Sequence, residues 1–123
     1  MVLMEKKTIL VLDDNSDIRN CLKKFLEKGD YNVIECDDAD ITAQKIRAGE
    51  IKYDAMVSDC CSFNSDSYSQ NQAIMASKEL YPDKPRIGIS SHPQIDAECV
   101  HVHFPKPFQL SGLVEIIDNF FPK

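Results

Sequence analysis

Short apolar runs alternate with segments of helical periodicity along the chain. The apolar runs are rich in β-branched residues, and they predict five strands, at residues 8–12, 31–36, 55–59, 86–90 and 100–104. A continuous apolar run such as the first is typical of a strand that is covered on both faces. The pattern therefore predicts strands buried inside an α/β domain.

Helical patterns occupy most of the intervals between these strands. The first helix is expected to have Ser16 as its N-cap and to end at Gly29, with an apolar stripe between them. A second helix follows an acidic stretch and ends at Gly49. A polar loop over residues 60–69 precedes a third helix that runs to about Leu80, and the last helix spans residues 110–120.

This alternation of strands and helices predicts a doubly wound, five-stranded parallel sheet with helices on both faces. The whole chain of 123 residues is expected to form one domain. In such sheets the ligand site lies beyond the carboxyl ends of the strands, at the switch in strand order. The residues that follow the strands are therefore the candidates for function.

Composition narrows the classes of partner. With 14 Lys and Arg residues against 20 Asp and Glu residues, the net charge is −6, which argues against nucleic acid or an anionic membrane as the main partner. The four glycines are too widely spaced for a glycine-rich phosphate loop. The N-terminal residues do not resemble a signal peptide, and the five cysteines are an odd number, so we expect a cytoplasmic protein with reduced thiols.

Polar side chains follow four of the predicted strands. They are Asp13 and Asp14 after the first, Asp59 at the end of the third, Ser90 at the end of the fourth and Lys106 after the fifth. Three converging carboxylates repel each other unless a cation lies between them, and oxygen ligands of this kind suit Mg²⁺. A lysine and a hydroxyl opposite them would complement a phosphoryl group. The set predicts transfer of a phosphoryl group to a carboxylate.

The sequence resembles the receiver domains of two-component response regulators. The resemblance is carried by residues 9–15 (ILVLDDN), 53–59 (YDAMVSD), 80–85 (LYPDKP) and 106–108 (KPF), which span nearly the whole chain. It implies the flavodoxin-like receiver fold, with the parallel strands in the order 2-1-3-4-5.

The resemblance also implies a role for each candidate residue. Asp59 would accept the phosphoryl group from a sensor histidine kinase or a phosphotransfer protein. Asp13, Asp14, Asp59 and the backbone carbonyl of Cys61 would hold Mg²⁺, Ser90 would bond a phosphoryl oxygen, and Lys106 would pair with the phosphate. The chain would act on itself rather than as an enzyme, and it would signal by altered binding to a downstream protein as a monomer or weak dimer.

Three departures from the family pattern bear on function. The loop after Asp59 lacks the Met-Pro and Gly that are usual there. Only fifteen residues separate Ser90 from Lys106, about six fewer than usual, which corresponds to roughly one and a half turns of helix. The fourth helix is therefore expected to be short, distorted or absent. His103 stands where the family usually has a Tyr or Phe that acts as a switch residue together with the residue at position 90, which is Ser90 here. A histidine in this place would make the switch depend on pH.

Other interpretations compete with the phosphorylated receiver. The same departures favour a pseudo-receiver, a phosphorylation-independent module for protein binding. Cys99, His101 and His103 alternate along a strand and, with His92, suggest a zinc or copper site. Vicinal Cys60 and Cys61 suggest redox chemistry, although acidic surroundings do not activate thiols. A phosphatase of the haloacid-dehalogenase type would need a second acid two residues after Asp59, where Cys61 stands.

Overall fold

The computed structural model describes residues 6–13, 15–59, 61–64, 67–70, 72–90, 102–105 and 110–121, and for residues 59, 61–64, 67–70, 90, 102–105 and 110 it describes the backbone alone. The described strands, in chain order, are β1 (Thr8–Leu12), β2 (Asn32–Cys36), β3 (Ala55–Asp59), β4 (Cys61–Asn64), β5 (Ser67–Gln70), β6 (Arg86–Ser90) and β7 (Val102–Pro105). The described helices are α1 (Ser16–Lys28), α2 (Ala39–Arg47), α3 (Gln72–Leu80) and α4 (Leu110–Phe120).

Five of the strands form one parallel sheet, in the order β2-β1-β3-β6-β7. Counted along the chain, these are the five strands predicted from the sequence, and their order is 2-1-3-4-5. The predicted fold class is therefore confirmed. Three strand boundaries differ from the prediction: β2 begins one residue later, and β7 begins two residues later and ends one residue later.

The hydrophobic core has two halves, one on each face of this sheet. Leu10 and Leu12 of β1 belong to the first half, with residues of α2 and α3: Ala43, Ile46, Ala73, Ile74 and Ala76. Ile9 and Val11 of β1 belong to the second half, with residues of α1 and α4: Leu22, Leu26, Leu113 and Ile117. Alternate residues of one strand thus enter opposite halves, as a doubly wound sheet requires.

The start of α1 differs from the sequence-based expectation. Asn15, and not Ser16, is the N-cap, and its side-chain oxygen accepts hydrogen bonds from the backbone N–H groups of Asp17 and Ile18. Asn15 has the extended backbone conformation that a cap needs, whereas Ser16 is already helical. Two adjacent residues of good capping type compete here, and the backbone geometry selects the first. The predicted stop at Gly29 is confirmed.

The prediction of a polar loop after β3 is wrong for most of its length. Strands β4 and β5 form an antiparallel hairpin, which is a separate two-stranded sheet. The segment contains no apolar run and is rich in serine, which favours turns, so periodicity alone predicted a loop. Pairing between the two strands supplies backbone hydrogen bonds that the composition does not reveal.

Several expectations concern residues outside the described part of the chain. The shortened fourth helix would fall within residues 91–101, and three residues of the proposed zinc or copper site, His92, Cys99 and His101, lie there too. Cys60 of the vicinal pair is also outside it. Within the described ranges, no helix combines the length and the apolar character that crossing a membrane requires.

Candidate functional site

The carboxyl ends of β1, β3 and β6 lie side by side, and we refer to them as the carboxyl edge. The register pairs Leu12 with Ser58, so the next residues, Asp13 and Asp59, stand at the same level on neighbouring chains. Asp59 is paired with Ile89 of β6, which puts Ser90, the next residue of β6, one position beyond Asp59. Because neighbouring strands are about 4.8 Å apart, the backbone brings these three predicted residues together.

Asp13 is held from three directions at this edge. Its side chain is buried, and its Oδ1 accepts a hydrogen bond from the backbone N–H of Asn15 at 2.9 Å. Its own backbone N–H donates to the carbonyl of Cys36 at 3.2 Å, which continues the pairing of β1 with β2. Its carbonyl accepts a hydrogen bond from Nη1 of Arg19 at 2.8 Å. The carboxylate at position 13 is thus fixed by backbone and side-chain contacts together.

Arg19 also joins an ion-pair group that the sequence analysis missed. Its Nε lies 3.5 Å from Oε1 of Glu35 on β2, and Nζ of Lys23 lies 3.4 Å from Oε2 of the same carboxylate. A signal for Arg19 exists in the sequence, because it lies four residues after the Asn15 cap and therefore on the same side of α1. The pairing with Glu35 is not visible there, since it depends on how α1 lies over β2.

The backbone of Cys61 is suited to its predicted role as a carbonyl ligand. Asn64 and Ser67 form the last pair of the ladder, and only two residues lie between them in the chain. Two consecutive residues cannot form a further ladder pair with each other. The pair of Asn64 and Ser67 is therefore the one that exchanges hydrogen bonds, and such pairs alternate along an antiparallel ladder. Cys61 and Gln70, three steps away, form a non-hydrogen-bonded pair, so the Cys61 carbonyl is directed away from β5.

The remaining predicted site residues stay predictions. Asp14 and Lys106 lie outside the described residues, and for Asp59, Ser90 and His103 the backbone alone is described. Within the described side chains no group of three His, Cys, Asp or Glu residues is arranged to hold a metal. Asp13 is the one member of the proposed carboxylate set whose side chain is described. Its buried oxygen atoms at the carboxyl edge fit the oxygen ligands that Mg²⁺ prefers.

The two tyrosines with shifted pKa values lie at the opposite end of the sheet. Tyr31 comes just before β2 and Tyr53 shortly before β3, so both are at the amino edge. Burial raises the pKa of Tyr31, and a hydrogen bond to the carboxylate of Asp118 and its negative charge raise it further. Burial also raises the pKa of Tyr53, against the opposing effects of a hydrogen bond with Ser77 and the charge of Arg86. These shifts therefore reflect packing at the amino edge, away from the candidate site at the carboxyl edge.

Comparison with known proteins connects this arrangement to one fold. No family model matches the sequence, and no curated protein does. Solved structures match closely. A response regulator receiver domain protein from Methanospirillum hungatei has a TM-score of 0.78 at 19% sequence identity, over 93% of this chain and 92% of that one.

Two further structures agree with the first. The response regulator TrrA from Thermotoga maritima, in complex with Mg²⁺ and BeF, has a TM-score of 0.77 at 18% identity, over 94% of this chain and 99% of that one. The chemotaxis response regulator CheY4 of Vibrio cholerae has a TM-score of 0.75 at 17% identity, with coverage of 94% and 99%. The chain therefore has the fold of response regulator receiver domains, as the resemblance of its sequence predicted.

Proposed function

We propose that this chain is a phosphorylatable receiver, which accepts a phosphoryl group on Asp59 in a Mg²⁺-dependent reaction. The observation that carries the proposal is the strand register at the carboxyl edge, where buried Asp13 follows β1 at the level at which Asp59 ends β3. The backbone thereby places the residue of the candidate nucleophile beside Asp13, whose carboxylate is buried. Carboxylates at neighbouring positions suit a divalent cation and not an apolar ligand.

The proposed residues divide the chemistry between them. A carboxylate oxygen of Asp59 attacks the phosphorus of a phosphohistidine, so that a phosphorus–oxygen bond forms while the phosphorus–nitrogen bond breaks and the imidazole leaves with the electron pair. The ammonium of Lys106 and the hydroxyl of Ser90 bind phosphoryl oxygens, which stabilises the charge that they carry. Asp13, Asp14, Asp59 and the Cys61 carbonyl would hold Mg²⁺, which would supply neutralising charge.

The phosphoryl group modifies the chain itself, so we propose a signalling role and not turnover of a separate substrate. The donor would be a sensor histidine kinase or a phosphotransfer protein. A receiver signals when phosphorylation shifts an existing equilibrium between two conformations, which changes its affinity for another protein. In this chain Ser90 and His103, on the neighbouring strands β6 and β7, are the proposed residues for that shift.

Phosphorylation can be tested directly by mass. The protein is incubated with acetyl phosphate and Mg²⁺, and its intact mass is measured. We expect an adduct of one phosphoryl group that requires Mg²⁺ and is absent from Asp59→Asn. Asp54→Asn is the matched control, because Asp54 lies just before the same strand, but at its amino end, where its carboxylate accepts a hydrogen bond from the N–H of Thr8 at 2.8 Å. That variant should be phosphorylated like the wild type.

One observation favours the alternative of a pseudo-receiver. The hairpin of β4 and β5 begins two residues after Asp59, where the family usually has a short loop with Met-Pro and Gly. A module that binds proteins without phosphorylation would tolerate such a change next to the acceptor. Absence of the adduct from the wild type, or its persistence in Asp59→Asn, would favour this alternative.

A further inference from the structure

The guanidinium of Arg19 connects the end of β1 with the neighbouring strand β2. On one side Nη1 donates to the carbonyl of Asp13 at 2.8 Å, and on the other Nε lies 3.5 Å from the carboxylate of Glu35. The side chain is largely covered, with an exposed fraction of 18%. One planar group with donors at a fixed separation holds both partners in a defined geometry, which the single nitrogen of a lysine does not reproduce.

The contact with the carbonyl constrains the peptide unit that leads from Asp13 to Asp14. The N–H of Asp13 is already bonded to Cys36, and its carboxylate to the N–H of Asn15. The carbonyl of Asp13 belongs to the peptide unit that follows it, and Arg19 holds this carbonyl. The contact therefore fixes the backbone on the carboxyl side of Asp13, the first proposed metal ligand.

The charge of Arg19 would by itself oppose a nearby cation. Glu35 offsets part of that charge, because the same carboxylate also faces Lys23, whose Nζ lies 3.4 Å from its other oxygen. Glu35 lies on β2 opposite Val11, so its backbone position is fixed by the sheet. The pair thus presents Arg19 to the carbonyl of Asp13 as an oriented donor with its positive charge partly offset.

We infer that Arg19, held by Glu35, is a positioning residue for the Mg²⁺ site at the carboxyl edge. This inference rests on the proposed function, because it assumes that Asp13 and Asp14 bind Mg²⁺. Partners that orient metal ligands from outside the coordination sphere change metal affinity by about 10-fold to 100-fold when they are removed. Loss of Arg19 is expected to weaken Mg²⁺ binding by at least the lower of these factors.

The test measures Mg²⁺ affinity itself and needs no phosphorylation. Wild-type protein and variants labelled with ¹⁵N are titrated with Mg²⁺, and dissociation constants are obtained from amide chemical shifts. We expect Arg19→Met to bind about 10-fold more weakly or worse. Arg19→Lys should also be impaired, because an ammonium keeps the charge but lacks the two separate nitrogens, Nη1 and Nε, with which Arg19 contacts the carbonyl and Glu35. Glu35→Gln should fall between the wild type and Arg19→Met.

Arg47→Met is the matched control. Arg47 is on α2 and forms an exposed ion pair with Glu79 at 2.7 Å, so the same substitution removes an arginine pair without a contact to Asp13. Its Mg²⁺ affinity should equal that of the wild type. Urea unfolding of every variant identifies any that is not folded at the titration temperature. If Arg19→Met is not folded, the Mg²⁺ affinity of Glu35→Gln decides in its place.

The outcomes separate the inference from the proposed function. Wild-type protein that binds no Mg²⁺ overturns both. Wild-type protein that binds Mg²⁺, with unchanged affinity in folded Arg19→Met or full affinity in Arg19→Lys, overturns the inference alone. A selective loss in Arg19→Met and Arg19→Lys, with Arg47→Met unaffected, supports it.

Discussion

The buried hydrogen bond between Tyr53 and Ser77 permits a sharp test of how the amino edge of the sheet is held to α3. The hydroxyl of Tyr53 donates to Oγ of Ser77 at 2.6 Å, and the residues are 2% and 0% exposed. Tyr53→Phe removes the hydroxyl but keeps the ring, which lies edge-on to Tyr81 and under the ammonium of Lys84. The substitution therefore isolates the hydrogen bond from the packing.

The size of the effect follows from burial. Leaving a buried polar group without its hydrogen-bond partner lowers the free energy of unfolding by about 1–3 kcal/mol, whereas removing both partners together can leave it nearly unchanged. For a chain of 123 residues, the unfolding entropy of globular proteins corresponds to a shift in Tm of about 4 °C per kcal/mol. Tyr53→Phe and Ser77→Ala are each expected to lower Tm by about 4–12 °C, and the double variant to lower it by much less than the sum.

The assay is thermal unfolding for Tm and urea unfolding for the free energy of unfolding, both followed by far-UV circular dichroism, of the wild type, the two single variants and the double variant. A coupling free energy of about 1 kcal/mol or more between the two positions is expected. Lys84→Met is the control, because it removes the cation 4.6 Å from the same ring without touching the hydroxyl. Single-variant effects that add within about 0.5 kcal/mol would refute the reasoning, since independent sites behave in that way.

Three further predictions concern other parts of the fold. Asn15→Ala should destabilise the protein by about 1 kcal/mol through loss of the α1 cap, and Asn15→Ser should retain most of the stability in the same urea assay; equal stability of the two variants would contradict the cap assignment. Gly49→Ala should lower the free energy of unfolding by about 1 kcal/mol, because the φ of Gly49 is 73°, which an L-residue with a Cβ adopts at a cost. The added Cβ would meet no atom within 4 Å, so the backbone conformation alone accounts for the loss. An unchanged free energy of unfolding would argue against this backbone conformation. Tyr31 and Tyr53 should ionise above the ordinary tyrosine pKa of about 10, as followed by absorbance at 295 nm and assigned with Tyr31→Phe and Tyr53→Phe. Because both pKa values are raised in the folded state, their contribution to stability is complete below about pH 10 and is lost as the pH rises through the raised values, so a free energy of unfolding that stays constant there would contradict the assignment.

The main elements of the fold could be predicted because they depend on local patterns. The apolar run of residues 8–12 became β1 without change, and the apolar stripe that includes Leu22 and Leu26 became the buried face of α1. Hydrophobic periodicity reports which side of an element must be covered, and the alternation of strands with helices then leaves few arrangements. The positions of Asp13, Asp59 and Ser90 after their strands could be inferred for the same reason.

Other features depended on geometry that local patterns do not contain. The hairpin of β4 and β5 arises from pairing between two polar segments, neither of which is a strand by its own composition. The choice of Asn15 over Ser16 as the cap was decided by the backbone conformation at the end of β1. The hairpin and the cap both depend on hydrogen bonds for which the sequence offers more than one candidate partner.

The sequence by itself determined the order of strands and helices, the buried faces and the carboxylates at the carboxyl edge, because each of these is encoded by neighbouring residues. Only the tertiary structure decided the register that aligns Asp13 with Asp59 and the contact of Arg19 with both β1 and β2. Such contacts join residues that are remote in the chain or on different elements, and their formation depends on the packing of the whole sheet and its helices.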